Sequence, residues 1–418
     1  MKKIIALFIS SFALLVFSCK KKLDIVPKGV LNEDQIANAA NVDRLVTAAY
    51  STLGNGDINV SFSLYQFGDV LSDDAYKGGR DEGDGADLHN MEIFINTLPT
   101  FFQLNGHWTQ AYIGINRANT ALSYLNKVNE TEFPNKKVRQ GEMHFLRGIY
   151  YLAIKTIFRN IPWVDENVPS DDIPKLSNRQ FTNDQLWDKI AGDFQLAADN
   201  LPATQSDKGR PTKAAAYGYL AKARLYQAYT QDENYNVTGI SSNRLLQVID
   251  AADKVIGSSF RLETDFANNF LPGGFENGPE VLFAIQFSQN DGTQLGRLNY
   301  GDALNVPQGL GCCDFHKPSQ NLVNAFKTDA NGLPMLDNFN DQDLNLATNT
   351  VDPRLLHTVA IPGQGWKYEP KKRIFQNSWS RNPGVYGYYA SLKENVSPDF
   401  HALLERHRFF RIQRISLY

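Results

Sequence analysis

Along most of the first 256 residues, apolar side chains recur every three or four positions, the spacing of amphipathic helices. In 31–53 the stripe is Ile36, Ala40, Leu45, Ala48, Ala49 and Leu53. Trp108, Tyr112, Ile115, Leu122 and Leu125 form a second stripe over 106–127, and Val138, Phe145, Ile149 and Leu152 a third over 137–158. A further helix is predicted over 182–201, with Thr182 or Asn183 as cap and Pro202 as stop. The most regular pair is KAAAYGYLAKARLYQAYT (213–230) followed by SNRLLQVIDAADKVI (242–256). In the first of these, Ala214, Gly218, Ala221 and Ala228 are small enough to admit a neighbouring helix; Ala251, Ala252, Val255 and Ile256 complete the opposing face. Two polar residues interrupt the stripes. Asn119 and Glu142 are predicted to be buried, and buried polar groups need partners. Arg117 is the partner expected for Glu142, in a network that fixes helix register.

Elsewhere the periodicity fades. Residues 54–105 hold Gly54, Gly56, Gly68, Gly78, Gly79, Gly83 and Gly85 among many Asp and Asn, and read as mostly loop. Val281 to Phe287 (VLFAIQF) is a short β-like run. Most of 288–390 reads as loops with short helices. The expected fold class is therefore mainly all-α, with a helical scaffold over about 31–256 and a loop-rich portion over about 257–395. The pair 213–256 resembles a degenerate tetratricopeptide unit, its connector being longer than the standard one.

The first residues change the picture. Lys2 and Lys3 precede an apolar run from Ile4 to Phe17, which ends at Ser18 and Cys19. This is too short for a membrane span and reads as an export signal over 1–18. Ser18 before Cys19 looks like a bacterial lipobox, although Phe17 departs from the usual small residue. Acyl chains on Cys19 would anchor the chain, each buried methylene contributing about 0.8 kcal/mol.

Composition adds exclusions. The chain has 418 residues, is 42% hydrophobic and carries a net charge of -3. With no basic excess or stripe, a nucleic-acid partner is not expected. Three cysteines rule out a disulfide framework; with Cys19 lipidated, Cys312 and Cys313 are the remaining thiols. Their adjacency leaves open a vicinal disulfide or two free thiols. No Cys/His spacing suits zinc, and no cofactor is expected. The acidic loop Asp81, Glu82, Asp84 and Asp87 is at most a weak candidate for structural calcium, since it lacks EF-hand spacing. Aromatics, at 12%, are the outlier.

Several segments in fixed order then point to a family. After the lipobox come FGDVLSDDAY (67–76), HWTQAYIGINRANTAL (107–122), GEMHFLRGIYYLAIKTIFRNIPWV (141–164), GRPTKAAAYGYLAKARLY (209–226), GPEVLFAIQF (278–287) and VDPRLL (351–356). Over about 19–395 the chain resembles the SusD/RagB nutrient-uptake lipoproteins of Bacteroidetes outer membranes. The resemblance implies a tetratricopeptide-like scaffold whose loops build a glycan site. It implies capture of oligosaccharides without chemistry on them. It also implies a partner, a SusC-like TonB-dependent transporter, and a surface-exposed, lipid-anchored location at the outer membrane. The end departs from the family: HALLERHRFFRIQRISLY closes the chain with four Arg, two His and one Glu. Residues 396–418 are therefore read as an atypical end, with truncation or a frame shift as the expectation.

A sugar offers C–H faces to aromatic rings and hydroxyls to charged or amide groups. Two regions supply both. The first holds Asp69, Asp73, Asp74, Tyr76 and Arg80, for which a solvated turn is the competing reading. The second, 361–390, holds seven aromatics, of which Trp366, Tyr368, Trp379 and Tyr386 are the ring candidates; the competing reading is core beneath long loops. Trp108, Trp163 and Trp187 read as scaffold. Two other functions compete. A tetratricopeptide-type adaptor lipoprotein would not need aromatic-rich loops. A glycoside hydrolase needs two carboxylates at a fixed separation, for which only the acidic neighbours Asp165/Glu166 and Asp171/Asp172 stand out.

Overall fold

The computed structural model describes residues 37–54, 64–271, 273–286, 304–311, 313–366, 373–393 and the backbone of 413–415. The scaffold is a run of antiparallel helices: α1 (Ala39–Gly54), then, after a short strand β1 (Ala75–Gly78) and a short helix α2 (Ala86–Glu92), α3 (Phe102–Lys127), α4 (Lys136–Ile157), α5 (Asn183–Asn200), α6 (Lys213–Ala228) and α7 (Ser242–Ile256). Each helix from α3 to α7 packs on the one before it, and α1 closes the other end against α3. Side-chain caps define three of the starts. Thr182 and Gln185 form a reciprocal capping box at α5, and Thr212 and Ser241 accept from the third backbone N–H of α6 and α7.

One continuous core runs through this stack, including Ile115, Leu122, Phe145, Tyr150, Phe194 and Ala215. Its closest approaches occur at glycines. A Cβ on Gly114 would lie 2.5 Å from the Tyr150 ring, and one on Gly148 2.8 Å from Phe194. Trp163 and Trp187 are buried in the scaffold as expected, and Trp108 packs against it.

Asn119 and Glu142 are buried, but their partners differ from the expected pair. Arg117 donates to Ser51 Oγ at 2.7 Å and Thr52 Oγ1 at 3.0 Å, because its side of α3 faces α1. Glu142 instead accepts from Arg139 at 2.8 Å and from Arg210. Asn119 donates to the Val164 carbonyl and accepts from Arg147 at 2.8 Å. Arg147 also grips Asp193 with two bonds, Nε to Oδ2 at 2.8 Å and Nη2 to Oδ1 at 2.7 Å, and pairs with Glu166. This buried hub ties α3, α4, α5 and the segment after α4 into one register. It also occupies Glu166, one of the acidic neighbours that a hydrolase would need.

The connector after α6 is a hairpin, β2 (Tyr229–Gln231) against β3 (Val237–Ile240), rather than plain loop. The β-like run yields β4 (Phe283–Ile285), paired with Gln413–Ile415 near the chain's end. Beyond it lie β5 (Phe315–Pro318), a one-turn helix α8 (Gln320–Ala325), β6 (Lys327–Thr328), β7 (Thr350–Val351), α9 (Leu355–Thr358), β8 (Val359–Ala360), α10 (Pro383–Tyr386) and β9 (Ala390–Ser391); the strand Gln413–Ile415 is β10. Every described sheet is a two-stranded antiparallel pair. No described helix is long and apolar enough to cross a membrane.

Candidate functional site

The two candidate regions of the sequence meet in space. The link is β1 paired with β5, in the register Ala75↔Pro318, Tyr76↔Lys317 and Gly78↔Phe315. Strand alternation puts Ala75 and Lys77 inward and Tyr76 outward, where its ring is 37% exposed. The strand ends at Gly78, whose φ of +76° and approach to β5 exclude a side chain: a Cβ there would lie 2.3 Å from the Asp314 carbonyl oxygen. Gly78→Ala is expected to destabilise the fold by at least ~1 kcal/mol, through strain and displacement of β5. Chemical denaturation of the two proteins measures this.

Beneath Tyr76, Lys77 is fully buried. Its ammonium donates to the carbonyls of Gly78 at 2.9 Å, Asp81 at 2.8 Å and Asp84 at 2.8 Å. The loop 78–84 is thus wrapped around the chain's own cation. Burial pushes the Lys77 ammonium below its usual range, opposed by Glu92, Asp84 and the other nearby carboxylates. The calcium expectation fell on this loop. Its converging carbonyls are already taken by Lys77, and among the described residues no group of three or more His, Cys, Asp or Glu is placed to hold a metal.

The second region is fastened to β5 by a buried ion pair. Lys317 donates to both Asp314 carboxylate oxygens, at 3.1 and 2.9 Å, and to Ser380 Oγ at 2.9 Å. The Arg381 backbone N–H donates to Asp314 Oδ2 at 2.7 Å, and Ser380 Oγ donates to the Gly387 carbonyl at 2.7 Å. Burial pushes the Asp314 carboxyl up and the Lys317 ammonium down, each opposed by the other's charge. The segment is thereby held against the loop of the first region. Asn382 Nδ2 donates to the Arg80 carbonyl at 3.0 Å, and Arg381 lies 3.7 Å from Asp84. The Tyr386 and Tyr76 rings are 6.2 Å apart, with the Lys77 ammonium 5.0 Å from the Tyr386 ring centre.

The candidate residues separate by exposure. Asp73, Asp74, Tyr76 and Arg80 are all on the surface. The Arg80 guanidinium is held by Asp81 at 2.8 Å and still largely exposed. Asp73 adopts φ +63°, and its carbonyl accepts from Ser319 Oγ at 2.6 Å, fixing the turn to the start of α8. Burial raises the Asp74 carboxyl above its usual range, against a hydrogen bond with Ser72. Asp69 instead pairs with His316 at 2.8 Å.

The aromatic set divides differently. Trp366 and Tyr386, expected as exposed stacking rings, are 1% and 2% exposed. Trp366 is the centre of a small core with Phe375, Ala360, Ala390 and Leu392, because this stretch of chain has no scaffold helix to bury its apolar side chains and collapses on its own rings. Tyr386 backs Tyr76 from inside. Trp379 is half-buried, its ring laid on Gly309 and edge-on to Phe375 at 5.4 Å. Tyr388, in the same stretch, is 45% exposed. Tyr368, Cys19 and Cys312 lie outside the described residues. Cys313 is disulfide-bonded.

Sequence reasoning missed Lys77, Asp314, Lys317, Arg381 and Asn382. A charged residue on the inner side of a strand leaves no trace in hydrophobic patterning. The one available signal was Ala-Tyr-Lys-Gly-Gly itself, an alternating tetrad ended by glycines.

The arrangement offers an exposed ring, a guanidinium, carboxylates and the Asn382 amide on a rigid backing. Comparison with known proteins agrees in kind. Residues 88–226 match a family described as "Starch-binding associating with outer membrane", and residues 279–409 match the SusD family. The chain is 25% identical over 268 residues to SusD-like protein P2 of Formosa agariphila, covering 62% of this chain and 48% of that one. It is 27% identical over 167 residues to the starch-binding protein SusD of Bacteroides thetaiotaomicron, covering 39% of this chain and 27% of that one. The chain thus spans about half or less of the curated relatives it matches. Among solved structures, a laminarin-binding SusD-like protein superposes with a TM-score of 0.60 at 20% identity, covering 85% of this chain and 72% of that one. Surface glycan-binding protein A of Bacteroides thetaiotaomicron, in complex with laminarihexaose, gives 0.55 at 20% identity, covering 76% and 68%.

Proposed function

The chain belongs to the SusD/RagB family, and on that premise we propose that it binds oligosaccharides at the outer-membrane surface without transforming them, and passes them to a SusC-like TonB-dependent transporter. The observation that carries this reading is the junction of Tyr76 and Arg80 with the 380–388 segment. Residues far apart in sequence are brought together to present a ring with polar groups around it. In this reading the C–H face of a sugar stacks on Tyr76. Arg80, Asp73, Asp74 and Asn382 take its hydroxyls, and Trp379 and Tyr388 extend the surface toward neighbouring sugar units. Trp366 and Tyr386 act from behind, as packing. Lipidation at Cys19 anchors the chain. Support comes from relatives named as starch-binding or surface glycan-binding proteins.

The test is a calorimetric screen of neutral oligosaccharides against the soluble chain without residues 1–19. One glycan class is expected to bind, and Tyr76→Ala to weaken it about tenfold, the equivalent of ~1.4 kcal/mol for loss of a stacking ring. Binding that survives Tyr76→Ala and Arg80→Ala unchanged would move the site elsewhere. Release of shortened sugars from a bound oligosaccharide would overturn the non-enzymatic reading.

A further inference from the structure

The scaffold carries a concavity that shares no lining residue with the surface around Tyr76. Helices α4, α5 and α6 and the β2–β3 hairpin enclose a cavity of about 890 Å³. Its walls are mainly apolar and aromatic. Trp187 and Tyr226 stack at 5.4 Å and 13°, and Leu225 and Val237 open into it, 44% and 54% exposed. Lining side chains of this kind, left without packing partners, are what a ligand with an apolar body would cover.

The polar lining has one sign. Lys155, Arg159 and Lys222 line the cavity, and among the described residues no Asp or Glu does. Two of the three cations are engaged. Lys155 donates to the Arg159 carbonyl at 2.9 Å and to Asn183 Oδ1 at 2.7 Å, and burial brings its pKa down to about 8. Arg159 lies over the Tyr235 ring at 5.2 Å, in the field of Asp232. Lys222 is different. It has no acceptor or counter-charge among the described residues, and burial alone pushes its ammonium below the usual range. One turn back on α6, Tyr219 also lines the cavity; its ring packs on Phe145 and Phe194, and its hydroxyl is buried without a hydrogen-bond partner. A half-buried ammonium and a buried hydroxyl left unmatched three residues apart on one helix are costly unless an acceptor arrives.

We propose that this cavity is a binding site, separate from the glycan surface, for a small organic monoanion: an aromatic or aliphatic body carrying one carboxylate or sulfonate. The anionic group would pair with Lys222 and accept from Tyr219, and the body would lie along Trp187, Leu225 and Val248. A neutral sugar would leave Lys222 uncompensated. A polyanion would drive surplus charge against apolar walls.

The test uses two fluorescent probes with the same ring body, the anion anilinonaphthalene sulfonate and the neutral phenylnaphthylamine, titrated into the full soluble chain at fixed ionic strength. One saturable site is expected, with the sulfonate bound about tenfold tighter or better, the advantage of one charge-assisted hydrogen bond. Lys222→Met should remove that preference without lowering the thermal midpoint of the free chain, and Lys222→Arg should keep it. Dodecanoate should displace the sulfonate, whereas neutral oligosaccharides should not. Equal affinity for both probes, a preference unchanged in Lys222→Met, or displacement by the neutral glycan that binds at Tyr76 would each overturn the proposal. If Lys222→Met fails to fold, the Lys222→Arg titration and the dodecanoate competition still decide. The glycan screen above can fail without touching this result, since it reads a different surface.

Discussion

Replacing Arg147 with methionine is expected to cost about 3–5 kcal/mol of stability at neutral pH, because it leaves the Asp193 carboxylate buried without its cation. Asp193 is 2% exposed and receives two bonds from Arg147 and one contact from His144 at 2.9 Å. Burial works to raise its pKa, yet Arg147 and its hydrogen bonds hold it below the usual carboxylate range. The sign of the pH dependence follows. In the native chain this depressed carboxyl contributes stability that is present above the unfolded-state value and lost as pH falls through the lower folded value. In Arg147→Met burial is opposed only by the His144 contact, so Asp193 should titrate higher than in the parent. Acidification from neutral then relieves the buried charge, and the gap between mutant and parent should narrow. Urea denaturation of both proteins at neutral and mildly acidic pH checks this; a gap that stays constant or widens in acid would refute it. Arg147→Lys should rescue little, since one ammonium cannot reproduce the fork that also reaches Asn119 and Glu166. Arg80→Met is the contrast: its partner Asp81 is exposed, and its loss should be barely measurable in stability.

Lys317→Met is expected to have the second large effect, again about 3–5 kcal/mol, but local in origin. Both Lys317 and Asp314 are about 1% exposed, and together they hold Ser380 and the Arg381 backbone on β5. Losing the ammonium strands Asp314 and releases the segment that carries Asn382 and Tyr386 to the Arg80 loop. Glycan affinity should therefore fall in Lys317→Met although Lys317 itself is far from solvent. The double variant Asp314→Leu/Lys317→Met removes both charges and should recover much of the stability but not the affinity. It lacks the hydrogen bonds that position Ser380 and Arg381. Equal recovery of both would show that the segment is placed by packing alone.

The scaffold was readable because each helix buries one stripe. α5 begins at the capping threonine the sequence offered, and α6 and α7 span the most regular pair of runs. Its polar interior was only half readable. Asn119 and Glu142 could be placed inside from their stripes. Their partners could not, since Arg117, Arg139, Arg147 and Arg210 are equivalent until helix rotation decides which face meets which neighbour. The same applies to the candidate site. Asp73, Asp74, Tyr76 and Arg80 stood out as a polar turn with a ring, and they are exposed together. Trp366 and Tyr386 had the same composition around them as Tyr388, yet they are interior and Tyr388 is not. In irregular chain there is no period to separate inside from outside.

From the residues themselves came the helical stack, the cap of α5 and the family's ordered segments. These depend on spacing within one element, and spacing is written along the chain. Tertiary structure alone decided that β1 pairs with β5, that Lys77 fills the loop of Gly78–Asp84, and that Arg80 meets Asn382 across 302 residues. It alone decided that the scaffold holds a cavity with an unmatched cation. Each is a contact between distant segments, set by which buried charges and rings could be satisfied once the helices had packed. No local pattern encodes that choice.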